Sequence, residues 1–158
     1  MTEISFVTTG KGDLCRDIMS GLPEWFDQLE ANEACAEIVE GLPLLACRLD
    51  GVVAGFIALQ PHLPSAMEIF VMAVRRRFHR QGIGHRLLAA AENFAGEASC
   101  RLLTVKTLAP REREEPQYAE TRAFYEGNGF IRAEIFPKLW HEDFPCLFLV
   151  KPLDRKLS

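Results

Sequence analysis

The chain lacks the cysteine patterns that mark a metal-binding or disulfide-stapled protein. Its five cysteines, Cys15, Cys35, Cys47, Cys100 and Cys146, stand singly, with no C-x-x-C and no Cys/His spacing suited to zinc. An odd, dispersed set excludes a disulfide framework and predicts reduced thiols, so no metal site is expected and the compartment is expected to be cytoplasmic. No apolar run reaches the length of a membrane span, and residues 1–13 lack the apolar core of a signal peptide. The expectation is a soluble chain with no membrane partner. Positive charge is also short, with 18 Lys and Arg against 22 Asp and Glu, a net charge of −4. That balance excludes a general nucleic-acid binder, whose affinity rests on neutralising phosphates. Low-complexity tracts are absent, and Gly21-Leu22-Pro23 with Gly41-Leu42-Pro43 is too little to make a repeat. What is left is an ordinary globular composition. At 158 residues it predicts one domain, residues 1–158, long enough for a real core.

The most informative stretch is residues 68–88, EIFVMAVRRRFHRQGIGHRLL. Residues 68–74 are β-branched, aromatic and unbroken, which predicts a strand. Arg75, Arg76, Arg77, His79 and Arg80 then crowd cations into a turn. Gln81-Gly82-Ile83-Gly84 follows, and Ile83, Leu87, Leu88, Ala91, Phe94 and Ala95 recur at helical spacing. Such an arrangement suits an anion. Glycines let a backbone turn tightly and approach a ligand, the first N–H groups of a helix lack intrahelical partners, and with the helix dipole they favour phosphate. Arginines nearby add charge and planar donor forks.

Two phosphate motifs are excluded by spacing. A P-loop needs Gly-Lys-Ser or Gly-Lys-Thr, but His85 follows the second glycine here. A dinucleotide fingerprint needs a third glycine, but Leu87 occupies that position. The stretch instead resembles the acetyl-CoA site of the GNAT (GCN5-related N-acetyltransferase) superfamily, in which a strand leads into Q/R-x-x-G-x-G/A. His79 stands where Gln or Arg is usual, a minor departure if the contacts are backbone N–H groups. A second resemblance lies in Phe124-Tyr125-Glu126-Gly127-Asn128-Gly129-Phe130, close to the family's Y-E-x-x-G-F element.

Along the chain, residues 4–9 predict a first strand. Asp13 is a candidate cap for a helix, residues 22–26 begin a second helical piece with Pro23 in its first turn, and residues 31–39 form another short helix. Residues 44–49, the Asp50-Gly51 turn and residues 52–59 form the clearest hairpin. A loop with Pro61 and Pro64 precedes the organising strand, turn and helix, the helix ending near Gly96. Residues 102–108 predict a strand, 109–117 a charged loop, 118–127 a helix, and 130–136 and 147–151 the last strands. The order β-α-α-β-β-β-α-β-α-β-β predicts an α/β (α+β) fold, three-layer αβα, with about seven strands in a mixed sheet and about four helices. It also matches the element order of the GNAT acyl-CoA N-acyltransferase fold.

Acetyl transfer from a thioester to an amine needs a grip on CoA, a donor for the carbonyl oxygen as charge develops, a way to deprotonate the amine, and a partner for the leaving thiolate. The resemblance implies that His79, Arg80, Gln81, Gly82, Ile83, Gly84 and His85 hold the pyrophosphate. It implies that backbone groups of Met72, Ala73 and Val74 take pantetheine and the acetyl oxygen, where the strand splays from its neighbour. Phe124 and Tyr125 lie at the element whose Tyr sits beside the CoA sulfur in similar proteins. A phenol, pKa ~10, can donate to a thiolate whose parent thiol is near ~8.5. Taken alone, Tyr125 reads equally as a buried aromatic with its hydroxyl tied to backbone.

Glu68 stands six residues before Val74, where some GNAT enzymes carry a catalytic Glu, and is the candidate base. The plain alternatives are a solvated strand-end carboxylate, one pairing an arginine, or a water chain in its place. A base is useful because an alkylammonium, pKa ~10, is mostly protonated at neutral pH. His62, His85 and His141 are weaker candidates, and no Cys/His partner supports a cysteine nucleophile. Two segments, residues 24–27 and 138–143, combine a Trp with carboxylates and would suit a cationic acceptor, though Trp25 and Trp140 equally suit a core or interface. The expected activity is transfer from acetyl-CoA directly to a primary amine through a tetrahedral intermediate. A small-molecule amine is the first choice of partner and a protein lysine or N-terminus the second. GNAT proteins are often dimers, which implies a homodimer. The rival readings are a non-catalytic acyl-CoA sensor, which needs the glycine turn but not Glu68 or Tyr125, and a nucleic-acid or partner-binding domain using the Arg cluster.

Overall fold

The computed structural model describes residues 1–113 and 115–154. Its elements follow the expected order: β1 (Thr2–Phe6), α1 (Lys11–Ser20), α2 (Leu29–Val39), β2 (Leu44–Leu49), β3 (Val52–Pro61), β4 (Ala66–Val74), α3 (Ile83–Glu97), β5 (Leu102–Leu108), α4 (Pro116–Gly127), β6 (Ile131–His141) and β7 (Phe144–Pro152). The seven strands form one mixed sheet in the order β1-β2-β3-β4-β5-β7-β6. The described residues divide into two compact units. One holds Met1–Gln60 and Phe70–Phe94, the other Pro61–Ile69 and the described part of Ala95–Ser158. Strand β4 and helix α3 each run from one into the other. No described helix is long and apolar enough to cross a membrane.

In the first unit, strand register assigns the two faces of the sheet. Phe6 lies opposite Leu45, Ile4 opposite Cys47, and Leu45 opposite Ile57. Directly opposed residues share a face, and α3 covers this one, with Phe94 edge-on to Phe6 at 5.3 Å. Leu44, Phe56 and Ala58 belong to the other face and join Cys15, Ile18 and Met19 of α1 in one core cluster. Both faces are therefore covered, which explains why the four residues Leu44, Leu45, Ala46 and Cys47 are all buried. Burying a side chain the size of Phe56 contributes ~1.5–3 kcal/mol.

Helix α1 starts two residues before the expected cap. Gly10, in the left-handed region at φ 69°, stands at its N-cap, and Asp13 lies in the first turn, where negative charge suits the dipole. Gly12 is needed for close approach: a Cβ there would meet the Ala36 carbonyl and Glu40 Oε1 of the neighbouring helix end at 2.8 Å. Its N–H donates to that Oε1 at 2.7 Å, which satisfies one of the orphan donors of the first turn.

The second helical piece expected at residues 22–26 is a single turn. The Leu22 carbonyl accepts from Trp25 N–H at 3.2 Å and Phe26 N–H at 3.1 Å, and Trp25 and Phe26 spend their side chains on the α1–α2 core. The β2–β3 hairpin turns through Asp50 (φ 51°) and Gly51 (φ 83°), a type I′ conformation.

In the second unit, Ala66–Ile69 of β4 pairs in parallel with Leu102–Val105 of β5, and β7 pairs antiparallel with both β5 and β6. Strand β6 runs five residues past its expected end at Phe136, to His141. Pro137 lies within it, and β6 is the edge of the sheet, where a missing N–H costs no ladder bond. The stretch expected as a loop before the last strand is therefore mostly the end of a hairpin, with Lys138, Leu139, Trp140 and His141 in β6.

Candidate active site

In the first unit, β4 leads through a 3-10 turn at Arg76–Phe78 to the start of α3. The backbone alternates hand along this path. His79 has φ −63°, Arg80 φ 62° and Gly82 φ 80°, with Gln81 on the ordinary side between them. Alternating-handed backbone gathers successive N–H groups into an anion-binding concavity. Arg80 is a non-glycine residue in the left-handed region, a conformation that costs ~1–2 kcal/mol and that clusters at functional sites. Gly82 then accepts the N–H of Arg86 at 3.1 Å, so the N–H groups of Ile83 and Gly84 come before the first bond of the helix ladder. Buried Ile83 anchors the helix start, while Gly82 is exposed and an added Cβ there would meet nothing within 4 Å. The space above the turn is open to a ligand.

The His79 side chain is engaged within the protein. Its Nε2 lies 2.6 Å from the Val74 carbonyl, so it carries the hydrogen and donates. The ring meets Trp25 edge-on at 6.0 Å. It clasps the turn to the end of β4 and occupies one side of a carbonyl expected to serve pantetheine.

The Arg cluster is largely structural. Arg75 donates from Nε to the Val53 carbonyl and pairs with Asp17 of α1 at 2.7 Å. Arg76 pairs with Glu24, and Arg77 lies 4.7 Å over the Phe78 ring. The Arg75 and Arg76 guanidiniums thus tie the turn to Asp17 and Glu24. Glu24 is thereby committed to Arg76 and not offered to a cationic acceptor.

In the second unit, Glu68 is buried, 6% exposed, and is neither solvated nor paired with arginine. Its Oε1 meets His62 Nε2 at 2.7 Å and its Oε2 accepts from Lys106 Nζ at 2.9 Å. Lys106 is not among the residues singled out from the sequence. The signal was there: within Leu102–Leu108, Lys106 interrupts an apolar strand, and a strand-interior lysine calls for an acid. Glu68 lies opposite Thr104, which places Lys106, two residues along β5, on the same face.

Tyr125 is buried on α4, with Phe124 and Phe130 each edge-on at 5.3 Å. Among the described residues nothing hydrogen-bonds its hydroxyl, which sets aside the backbone-tied alternative. Burial pushes the phenol well above its usual range, so it stays protonated at neutral pH. Met72 and Val74 are half-buried and Ala73 is buried, whereas Arg80, Gln81 and His85 are exposed. Asp143 N–H donates to His141 Nδ1 at 3.1 Å, the ring closing its own hairpin. The thiols of Cys47, Cys100 and Cys146 are pushed up by burial, which disfavours the thiolate a nucleophile needs.

The acetyltransferase (GNAT) family model matches residues 13–130. Three solved structures illustrate the likeness. A GNAT-family protein from Desulfovibrio desulfuricans has a TM-score of 0.81 at 17% identity, covering 98% of this chain and 100% of that one. The ribosomal-protein-S18-alanine N-acetyltransferase from Escherichia coli has a TM-score of 0.76 at 20% identity, with 99% and 96% covered. An aminoglycoside 6′-N-acetyltransferase complexed with coenzyme A has 0.76 at 15% identity, with 99% of each chain covered. Identities this low speak for the fold. No curated protein matches the sequence closely.

Proposed function

Because the chain belongs to the GNAT acetyltransferase family, we propose that it moves the acetyl group of acetyl-CoA directly onto a primary amine, that of a small molecule. The observation that carries this reading is the turn into α3, with its alternating-handed backbone, its orphan helix N–H groups and the open space above Gly82. Arg80, Gln81, Gly82, Ile83, Gly84 and His85 would hold the pyrophosphate, chiefly through main-chain N–H groups. His79 holds the turn in shape. Backbone groups of Met72, Ala73 and Val74 would take pantetheine and polarise the acetyl carbonyl.

Tyr125, with Phe124 beside it, is the proposed partner of the leaving thiolate. A phenol held protonated by burial stabilises the thiolate by a hydrogen bond more readily than by full proton transfer, because its proton is the harder to remove. Glu68 belongs to the amine-deprotonating machinery.

The test is release of free thiol from acetyl-CoA in the presence of kanamycin, spermidine, or a short peptide beginning with alanine. The expected result is thiol release that depends on a small-molecule amine. Release with the peptide alone would move the acceptor to the protein class. Acetyl-CoA binding without release for any primary amine would favour the sensor reading.

A further inference from the structure

Glu68 has both carboxylate oxygens engaged and its side chain is only 7% exposed, while the His62 side chain bonded to it is 43% exposed. From this contrast we infer that His62 is the general base of the transfer, with Glu68 its positioning residue and Lys106 the cation that anchors Glu68. The inference rests on the acetyltransferase reading and names the group that deprotonates the amine.

The geometry supplies the parts in order. An ionised carboxylate only accepts, so at 2.7 Å Nε2 carries the hydrogen, and in the neutral ring Nδ1 keeps its lone pair. Among the described residues nothing engages Nδ1. Lys106 holds the other carboxylate oxygen at 2.9 Å, so Glu68 cannot swing away from the imidazole without leaving an ammonium unpaired. The main chain fixes His62 as well. Its N–H donates to the Ala66 carbonyl at 3.1 Å, and Ala66 N–H donates to the Leu63 carbonyl at 2.9 Å, closing a tight loop just ahead of β4. A buried acid that orients the imidazole and faces the imidazolium once formed is the arrangement general bases use on many folds.

The groups that face the pair are few. Glu68 comes from β4, Lys106 from β5, and Cys146 from β7. The Cys146 thiol is raised mainly by burial, with Lys106 opposing and Glu68 adding, so it remains neutral. Of the four groups, His62 is the most exposed, followed by Lys106 at 31%.

The step balances as follows. Nδ1 of His62 takes one proton from the alkylammonium. The freed nitrogen attacks the thioester carbonyl carbon, the C–N bond forms and the C–S bond breaks. The sulfur leaves with the bond's electron pair and takes up the second nitrogen proton as a thiol. The imidazolium then returns its proton to water, so one amide, one thiol and one proton result.

The experiment compares wild type with His62→Gln, His62→Gly and Glu68→Gln, using kanamycin, spermidine and the alanine peptide as probe amines and following thiol release against pH. His62→Gln is expected to lower kcat/KM for the amine ~100-fold at neutral pH, the size of a lost general base, with acetyl-CoA affinity unchanged. The deficit should close as the pH nears ~10, where free amine becomes abundant. Added imidazole should restore His62→Gly, and should not restore Glu68→Gln. Wild-type rates in His62→Gln at neutral pH would overturn the inference. So would a loss that persists to high pH without rescue, which would mark His62 as a packing residue. If the wild type transfers acetyl groups and His62→Gln transfers them equally, only this inference falls. A folded wild type that binds no acetyl-CoA overturns the underlying reading and the inference with it.

Discussion

Gly82 answers to its dihedral angle and not to crowding, since an added Cβ meets no neighbour within 4 Å. Asp tolerates the left-handed region better than most residues. Gly82→Asp should therefore leave the fold intact and act through its charge, lowering acetyl-CoA affinity by roughly the tenfold or more that ~1.4 kcal/mol represents. Calorimetry on a variant with an unchanged melting temperature checks this, and unchanged affinity would remove the pyrophosphate site from the α3 turn. Tyr125→Phe removes one hydroxyl that nothing in the described protein holds. Turnover should fall ~10-fold, the size of one lost hydrogen bond of ~1.4 kcal/mol to the leaving thiolate, while acetyl-CoA affinity stays the same. Full activity would leave Tyr125 a member of its aromatic cluster with Phe124 and Phe130. At this scale the sequence identified Glu68 and Tyr125 as polar groups in telling places. It could not show what meets Glu68, because Lys106 lies 38 residues away on another strand, and such pairing exists only once the sheet has formed.

Among the elements, legibility followed the strength of the local signal. The β2–β3 turn is a short-range feature, Asp-Gly between apolar runs, and Leu44–Leu49 with Asp50 and Gly51 falls where expected. Helix α3 carries a clean apolar period, and it too begins where Gly82 and Ile83 placed it. The misses arose where tertiary context decides. Residues 22–26 have helix-compatible side chains, but Trp25 and Phe26 are drawn into a core that no local pattern reveals. Strand β6 continues through Pro137 because it lies at an edge, a fact of topology.

The turn after β4 shows the same limit. Its arginines read as ligand-binding, yet Asp17 and Glu24 claim two of them. His79→Ala should accordingly weaken acetyl-CoA binding by loosening the turn, by the ~3–10-fold that a lost hydrogen bond of about 1 kcal/mol implies. Calorimetry would show it, and an unchanged affinity would mean the clasp is dispensable. Helices α1 and α2 bring Cys15 and Cys35 together. The Cys15 thiol donates to Met19 Sδ at 3.8 Å, while the nearness of the two cysteines lowers the Cys35 thiol and, with burial, raises that of Cys15. Cys35 is also the less buried of the two. Since the thiolate is the nucleophile, iodoacetamide at neutral pH should label Cys35 ahead of Cys15 and Cys47, as peptide mass mapping would record. Preferential labelling of Cys47 would contradict the thiol pairing.

For the whole molecule, element order and family follow from a sequence of modest local signals that agree with one another. The family match extends from Asp13 to Phe130, through residues of both compact units, and the seven-stranded order accommodates every expected strand. Function is carried by a smaller set of features, since a fold shared at 15–20% identity hosts many acceptors. The donor is the part that this chain's own geometry speaks to. Calorimetric titration of the protein with acetyl-CoA, with ATP and NAD as controls, is therefore the decisive measurement. Saturable binding of acetyl-CoA, with the two control nucleotides markedly weaker, is the predicted result. A folded protein that takes up no acetyl-CoA, or binds ATP equally well, would contradict it.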